Sequence, residues 1–324
     1  MSEENKKIYI SVFMVLFFLI GIMGMCIYVS SNGVYSENGV EDKRKIGATY
    51  MTMNNSYFKI INEEIRYKVE ENGDTLITRD PALSLEKQID EIYEFIDLKV
   101  SAIFINPVDW IGVRTALADA KKAGIKIIAI DTDVFDDGLI ECTVVSDNYD
   151  AGVQCAKELM KNREHANIIL LEHTSAKSAI DRIRGFEETV SKNENYKILE
   201  RENCDGQLET AMPVVEELLA EHDDVDTIMA LNDPSALGAI MALEDMHINN
   251  VDVYGIDGSP DGKKVIKENK MAATVSQSPR KIGEISGEVL YKIFNRSSVD
   301  KKIVVPVEII NRDNVDNYKL DAWQ

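Results

Sequence analysis

The sequence has few cysteines, few histidines and a shortage of basic residues, and each shortage excludes a class of protein. Four cysteines in 324 residues are too few for the disulfide framework of a small secreted domain. The 36 lysines and arginines are outnumbered by 56 aspartates and glutamates, which gives a formal net charge of -20. Since phosphate contacts need clustered basic residues, we expect no nucleic acid among the partners.

Signals for metal and nucleotide chemistry are also lacking. The four histidines are His165, His173, His222 and His247. They have no ligand-like spacing, so solvated or core histidines are expected rather than metal ligands. Cys142, Cys155 and Cys204 form no CxxC pair, and a bridge between Cys142 and Cys155 stays open. No phosphate loop GxxxxGK[ST] is present, so we predict no metal and no cofactor.

One long apolar run, residues 8–29, contains no charged residue. At 1.5 Å per residue its 22 helical residues would span about 33 Å, enough to cross a hydrocarbon core of ~30 Å. Lys6 and Lys7 precede the run, and positive charge keeps that end in the cytoplasm. We therefore predict that the rest of the chain is extracytoplasmic.

The run at residues 8–29 has three open interpretations. Its length favours a retained membrane-spanning helix, because a signal peptide has an apolar region of only ~7–15 residues. A cleaved signal peptide stays open, with cleavage at residues 29–31. A lipid anchor on Cys26 is the weakest, because Met25 is not a small residue. Residues 30–45 contain Asn-Gly twice and no apolar period, so they predict a flexible tether.

Beyond the tether, short apolar runs alternate with segments of helical period. The apolar runs cover residues 46–50, 75–78, 102–105, 125–130, 142–145, 168–171, 227–231, 251–256 and 272–275. The helical segments cover residues 83–98, 111–122, 150–161, 176–191, 208–220, 236–246 and 282–294. Continuous apolarity is typical of strands covered on both faces, and repeated βα units imply parallel sheets. Because nine runs exceed one six-stranded sheet, we predict an α/β protein with two doubly wound lobes.

Polar side chains follow several of these runs. Asn106, Asp131, Asn232 and Asp257 each come directly after one. Singly, such a residue is often only a helix cap or turn former. Four of them, from both halves of the chain, instead indicate a shared cleft, because ligands of open α/β sheets bind at the carboxyl ends of the strands.

Further candidates lie beside these exits. The first run continues through Asn55 to Tyr57 and Phe58, and the last one ends at Gln277. Carboxylates and amides can bind hydroxyl groups, and aromatic rings can cover the apolar face of a sugar ring. Arg182 is a candidate forked donor, with a solvated surface arginine as the alternative. The pattern predicts a site for a polyhydroxylated ligand.

At these residues the sequence resembles the type I periplasmic sugar-binding proteins, in particular the ribose-binding group. The resemblance covers residues 46 to about 316. The matching stretches are MNNSYF (53–58), IFINPVD (103–109), IKIIAIDTD (125–133), SDNYDAG (146–152), TSAKSAIDRIRGF (174–186), LNDPSALGA (231–239), YGIDGSPDG (254–262) and AATVSQSP (272–279). It implies a first lobe of residues 46–145 and 278–306 and a second of 146–277 and 307–324. Three hinge strands would join them, after the anchor or signal (1–29) and the tether (30–45).

The resemblance also implies which residues bind the ligand. The family's ligand positions fall on Asn55, Tyr57, Phe58, Asn106, Asp131, Arg182, Asn232, Asp257 and Gln277. Met51 replaces a serine and Thr132 an arginine of the ribose pattern, while a second-lobe aromatic and an arginine fall at about Gly206 and Leu208. These departures argue against ribose itself.

Two more residues enter as candidates for this site. Asp133 is gained beside the strand-end aspartate. Trp110 is a candidate for the missing apolar face, with an ordinary contact between lobes or at the surface as its alternative.

The function implied is capture of a monosaccharide or related polyol for delivery to an ABC permease, without covalent chemistry. The alternative is a sensor subunit for a histidine kinase or chemoreceptor, which a retained anchor keeps open. A distant third hypothesis is a magnesium-dependent phosphatase, because residues 127–134 (IIAIDTDV) resemble the aspartate motif of haloacid-dehalogenase-type enzymes. That site needs paired acids at a strand end, whereas Asp223 and Asp224 follow a predicted helix.

Overall fold

The structure is a computed structural model that describes residues 13–14, 16–23, 25 and 43–324. The strands are β1 (Lys45–Thr49), β2 (Thr75–Arg79), β3 (Ala102–Ile105), β4 (Lys126–Ile130), β5 (Cys142–Ser146), β6 (Ala166–Glu172), β7 (Tyr196–Asn203), β8 (Thr227–Ala230), β9 (Asp252–Asp257), β10 (Ala273–Ser276), β11 (Lys302–Val305) and β12 (Glu308–Asn311). The α-helices are α1 (Ser56–Glu71), α2 (Leu85–Asp97), α3 (Arg114–Lys122), α4 (Asn148–Asn162), α5 (Lys177–Val190), α6 (Leu208–Glu221), α7 (Asp233–Asp245), α8 (Pro260–Lys267) and α9 (Pro279–Phe294).

The strands form two six-stranded sheets, one in each lobe. The first has the order β11-β5-β4-β3-β1-β2 and is parallel throughout. The second has the order β12-β10-β9-β8-β6-β7 and is parallel except that β12 runs antiparallel to β10. The chain passes from one sheet to the other after β5, after β10 and between β11 and β12. The prediction of an α/β fold with two parallel-sheet lobes is confirmed.

Burial on both faces explains why the strands are continuous apolar runs. Every residue of β3 and of β8 is buried. In the first lobe, Ile103 and Ile127 pack on Phe95 of α2 and Leu117 of α3 in one hydrophobic cluster. A larger cluster fills the remaining interior of both lobes. The helices therefore cover the sheets and leave the carboxyl ends of the strands for loops.

Two glycines let α4 and α5 approach closely, and this sets the position of Arg182 on α5. A Cβ atom on Gly152 would lie 1.8 Å from the Arg182 carbonyl oxygen, and one on Gly185 would lie 2.1 Å from the Tyr149 carbonyl oxygen. α4 follows β5, where the chain first crosses between the lobes, and α5 follows β6, so their contact fixes the Arg182 backbone beside that crossing.

The structure bears on the predictions for the cysteines and for the N-terminal apolar run. Cys142, Cys155 and Cys204 are buried free thiols, so the bridge between Cys142 and Cys155 does not form. Within residues 8–29 the structure describes helical residues at 13–14, 16–23 and 25. Among the described residues, no helix has the length and hydropathy to cross a membrane. The rest of that run and the tether up to residue 42 lie outside the described residues.

Candidate ligand-binding site

A cavity lies between the two lobes, at the carboxyl ends of both sheets. Eight of the predicted site residues line it: Asn55, Tyr57, Phe58, Asp131, Arg182, Asn232, Asp257 and Gln277. Three predicted residues, Asn106, Trp110 and Asp133, are not among the lining residues. The strand-end rule therefore brings most of the predicted side chains into one interior space.

Asp131 follows β4 and presents a carboxylate oxygen with no partner. Its side chain is 4% exposed, and its backbone has a φ of +65°. Asn106, which is fully buried, donates through Nδ2 to Asp131 Oδ2 at 3.1 Å and accepts from the Met51 amide. Oδ1 of Asp131 accepts no hydrogen bond from the described part of the chain, because the Tyr57 hydroxyl, which lies close to this carboxylate, donates to Gln277 instead. Asn106, which does not line the cavity, thus holds the Asp131 carboxylate through Oδ2. Burial raises the pKa of Asp131, and the positive charge of Arg182 opposes that shift.

A second carboxylate is held by a relay of hydrogen bonds. The Tyr57 hydroxyl donates to Gln277 Oε1 at 3.1 Å, and Gln277 Nε2 donates to Asp257 Oδ1 at 2.7 Å. Both ends of the Gln277 side chain are therefore used within the protein. Asp257 Oδ2 is buried and lacks a partner among the described residues. Burial, together with the nearby charge of Asp233, raises the pKa of Asp257 well above its usual range.

Arg182 provides the positive charge of the cavity. It is 4% exposed, so it is not the solvated surface residue that the sequence left as an alternative. Its Nε donates to Asn148 Oδ1 at 2.8 Å, and Nη1 donates to the Leu231 carbonyl at 3.1 Å. Nη1 also lies 3.9 Å from Asp257 Oδ1. These contacts fix the plane of the guanidinium, which is what a forked donor needs to be selective.

The two asparagines that line the cavity also cap helices. Asn55 accepts from the Tyr57 amide at 2.9 Å and begins α1. Asn232 accepts from the amide and hydroxyl of Ser235 at the start of α7 and donates to the Gly206 carbonyl at 3.0 Å. Capping is therefore a real role of both residues. Asn232 in particular has both ends of its amide bonded within the protein.

Tyr57 and Phe58 form the aromatic side of the cavity. Their rings meet edge to face, with centroids 5.4 Å apart, and both side chains are buried. Phe58 also packs on Tyr50, with centroids 6.0 Å apart. These rings offer an apolar surface opposite the charged groups, as a ligand with one apolar face would require.

The structure does not bring Asp133 or Trp110 to the cavity. Asp133 is partly exposed and pairs with Lys302 of β11 at 2.8 Å. The Trp110 ring packs on Phe135 with centroids 5.5 Å apart, and its backbone amide donates to the Ser175 carbonyl at 3.1 Å. Since Ser175 belongs to the second lobe, Trp110 makes the contact between lobes that was its alternative interpretation.

His173, Ser178, Asp205 and Gln207 line the cavity although the sequence did not predict them as ligand residues. His173 is 6% exposed, and burial lowers its pKa below 6.5. It directly follows β6, so the same strand-end rule would have found it. The Ser178 amide donates to Thr132 Oγ1 at 2.9 Å across the lobes. Together with the hydrogen bond from Trp110 to Ser175, this bond joins the two lobes beside the cavity.

Comparison with known proteins assigns the family. Residues 46–297 match the family model described as a periplasmic binding protein domain. The ribose import binding protein of Bacillus subtilis (strain 168) is 29% identical over 276 residues, which are 85% of this chain and 89% of that protein. The galactofuranose-binding protein of Escherichia coli (strain K12) is 31% identical over 227 residues, or 67% of this chain and 71% of that protein.

A solved structure of a sugar-binding protein has the same fold as this chain. An ABC transporter periplasmic solute binding protein from Actinobacillus succinogenes with bound D-allose superposes with a TM-score of 0.77 at 26% identity, covering 85% of this chain and 100% of that one. These relatives are substrate-binding proteins and not enzymes, so the phosphatase hypothesis for residues 127–134 is not supported. The chain belongs to the periplasmic binding protein family, among the sugar-binding proteins of ABC transporters.

Proposed function

We propose that the protein captures a neutral monosaccharide or related polyol in the cavity between its lobes and delivers it to an ABC permease. The observation that carries this proposal is a pair of buried carboxylate oxygens beside Arg182, Asp131 Oδ1 and Asp257 Oδ2, neither of which accepts a hydrogen bond from a described residue. A buried acceptor without a hydrogen bond lowers the stability of the folded state, so we expect a bound ligand to donate hydrogen bonds to both oxygens. Hydroxyl groups donate to carboxylates and accept from a guanidinium, and a sugar carries several of them in fixed directions.

The charges favour a neutral ligand over an acidic one. Asp131, Asp205 and Asp257 line the cavity, whereas Arg182 is the only arginine or lysine among the described lining residues. Even with Asp257 protonated, as its raised pKa favours, two acids face one guanidinium. A carboxylate or phosphate on the ligand would meet this excess of like charge at close range. We therefore expect sugar acids and sugar phosphates to bind more weakly than the matching neutral sugars.

Two positions support a ligand other than ribose. Thr132 stands where the ribose-binding pattern has an arginine, and its hydroxyl accepts from Ser178 across the lobes. Gly206 stands at about the position of a second-lobe aromatic, and it has a φ of +67° and lies close to Asn232. The relatives include binding proteins for galactofuranose, D-apiose and xylitol. We therefore place the ligand among neutral pentoses, hexoses and polyols without naming one.

We also propose that residues 8–29 direct export and keep the protein at the membrane. The family acts outside the cytoplasm, and the uncharged run preceded by Lys6 and Lys7 has the composition of an export or anchoring segment. Fractionation of cells tests this step. Recovery of the uncleaved chain with membranes supports retention, whereas a chain shortened at its N-terminus and released from cells supports cleavage.

The binding proposal is tested by calorimetry and thermal unfolding of the full chain with a panel of neutral sugars, polyols, sugar acids and sugar phosphates. A ligand at 100 times its dissociation constant should add about 2.7 kcal/mol to the free energy of unfolding. Arg182→Lys should lower affinity by about tenfold or more, because it loses the forked donor while keeping the charge. Asp133→Asn is the matched control and should bind normally. Tighter binding of acidic than of neutral sugars, or no binding across the panel, would contradict the proposal.

A further inference from the structure

The last residues of the chain are fastened to the second lobe beside the cavity. The Lys263 side chain on α8 is fully buried and donates to the Ala322 carbonyl at 2.5 Å. With its amide oriented to satisfy both neighbours, Gln324 donates to the Gly258 carbonyl at 3.1 Å and accepts from Lys263 Nζ at 2.7 Å. Gly258 directly follows Asp257, so residues 322–324, here called the tail, are held next to a cavity carboxylate.

The tail carries one aromatic ring to the first lobe. The Trp323 ring lies 5.6 Å from the Tyr57 ring, centroid to centroid, at an interplanar angle of 61°. Tyr57 belongs to α1 of the first lobe, lines the cavity, and donates through its hydroxyl to Gln277. The contact therefore joins a residue anchored on the second lobe to an aromatic ligand residue of the first.

We propose that Trp323 is a positioning residue for ligand binding. Its ring packs against Tyr57 and holds that ring, and the hydrogen bond from Tyr57 to Gln277, in the orientation that the closed lobes require. This inference rests on the function proposed above, because it assigns Trp323 a role in the same cavity.

The contact also links ligand release to breaking an aromatic pair. Release from a cavity enclosed by both lobes requires the lobes to separate. Separation must pull Tyr57 away from Trp323, since their anchors lie on different lobes. Loss of the Trp323 ring should therefore speed release more than it slows association.

The test compares full-chain variants by stopped-flow release kinetics. The probe is whichever of D-allose, D-apiose, xylitol and myo-inositol stabilises the wild-type chain most. Trp323→Leu should speed release by about 3–10-fold, the loss expected for one aromatic pair. Trp323→Phe should restore most of the slow release. Tyr318→Ala, which removes another partly buried aromatic of the same C-terminal segment, is the matched control and should release the probe at the wild-type rate.

A ligand-free measurement separates failure of this inference from failure of the proposed function. Hydrogen exchange of the amides in the first turn of α1 should quicken in Trp323→Leu and stay unchanged in α4. Unchanged exchange in α1 would overturn the inference even if a sugar binds. Equal loss of thermal stability in Trp323→Leu and Tyr318→Ala, with wild-type release in both, would show that the ring is only structural and would overturn it too.

Discussion

Asp131→Asn should make the ligand-free protein more stable and the complex weaker. Asp131 is 4% exposed, Oδ1 has no partner in the described chain, and the residue has a φ of +65°. Asparagine has the same shape and tolerates positive φ, so the backbone need not move. A buried unsatisfied polar group costs about 1–3 kcal/mol, and more when it is charged. Removing only the charge should therefore recover about 1 kcal/mol, or roughly 2 °C in Tm for a body of this size.

The same change removes the acceptor that we assign to a ligand hydroxyl. A hydrogen bond to a charged group is worth about 1.5–3 kcal/mol, so affinity should fall by about 10–150-fold. Arg182 keeps a negative partner, because its Nη1 lies 3.9 Å from Asp257 Oδ1. Stability and affinity are thus expected to change in opposite directions.

The stability gain expected for Asp131→Asn depends on pH, and the direction of that dependence can be checked. Burial raises the pKa of Asp131 in the folded state, so the folded chain binds this proton more readily than the unfolded chain. The cost of the charge is absent below the unfolded pKa of about 3.9 and is complete above the folded pKa. The stability gain of Asp131→Asn should therefore be small near pH 4 and grow towards neutral pH.

Urea unfolding of ligand-free protein between pH 4 and pH 8, with calorimetry at pH 7, measures both effects. Asp133→Asn is the control, because that carboxylate is paired with Lys302 at 2.8 Å and is partly exposed. The reasoning would be refuted if Asp131→Asn were no more stable than wild type at pH 7 and if the difference in their free energies of unfolding did not vary with pH.

Three further outcomes are expected. Gly152→Ala should lower Tm sharply or prevent soluble expression, because the added Cβ would lie 1.8 Å from the Arg182 carbonyl oxygen; wild-type thermal unfolding of this variant would contradict that packing. Asn106→Ala should lower both stability and sugar affinity by leaving Asp131 Oδ2 without its donor, and calorimetry showing full affinity would remove Asn106 from the site. Because burial lowers the pKa of His173, the unfolded chain protonates first and stability should fall as pH drops below about 6.5; His173→Gln should flatten that part of the profile in urea titrations, and an unaltered slope would exclude His173 as its source.

The central strands could be predicted from the sequence because both of their faces are buried. β3 and β4 are runs of isoleucine, alanine and phenylalanine, with one partly exposed lysine at the start of β4. The edge strands β7 and β11 were not found in this way. β7 is mostly exposed or half exposed and rich in charged residues, and β11 offers only three apolar residues, of which one is buried. Pairing with β6 and β5 is what makes them strands.

Two helices, α1 and α8, were not predicted, although the signal of α1 is present in the sequence. Residues 57, 58, 61, 65 and 69 are the apolar buried positions of α1, and their spacing is helical. The sequence analysis singles out Asn55, Tyr57 and Phe58 as ligand residues after the first strand and predicts no helix there. Both descriptions hold, since Asn55 caps the helix and the two rings line the cavity from its first turn.

Local sequence determined which polar groups stand at the carboxyl ends of the strands, because strand apolarity and direction are properties of short segments. Only the tertiary structure decided which of those groups face the cavity. Asp131 faces it and Asp133 does not, because Lys302 of a distant strand pairs with Asp133. Trp323 reaches the aromatic wall of the cavity through a contact with Tyr57 of the other lobe, which no single segment encodes.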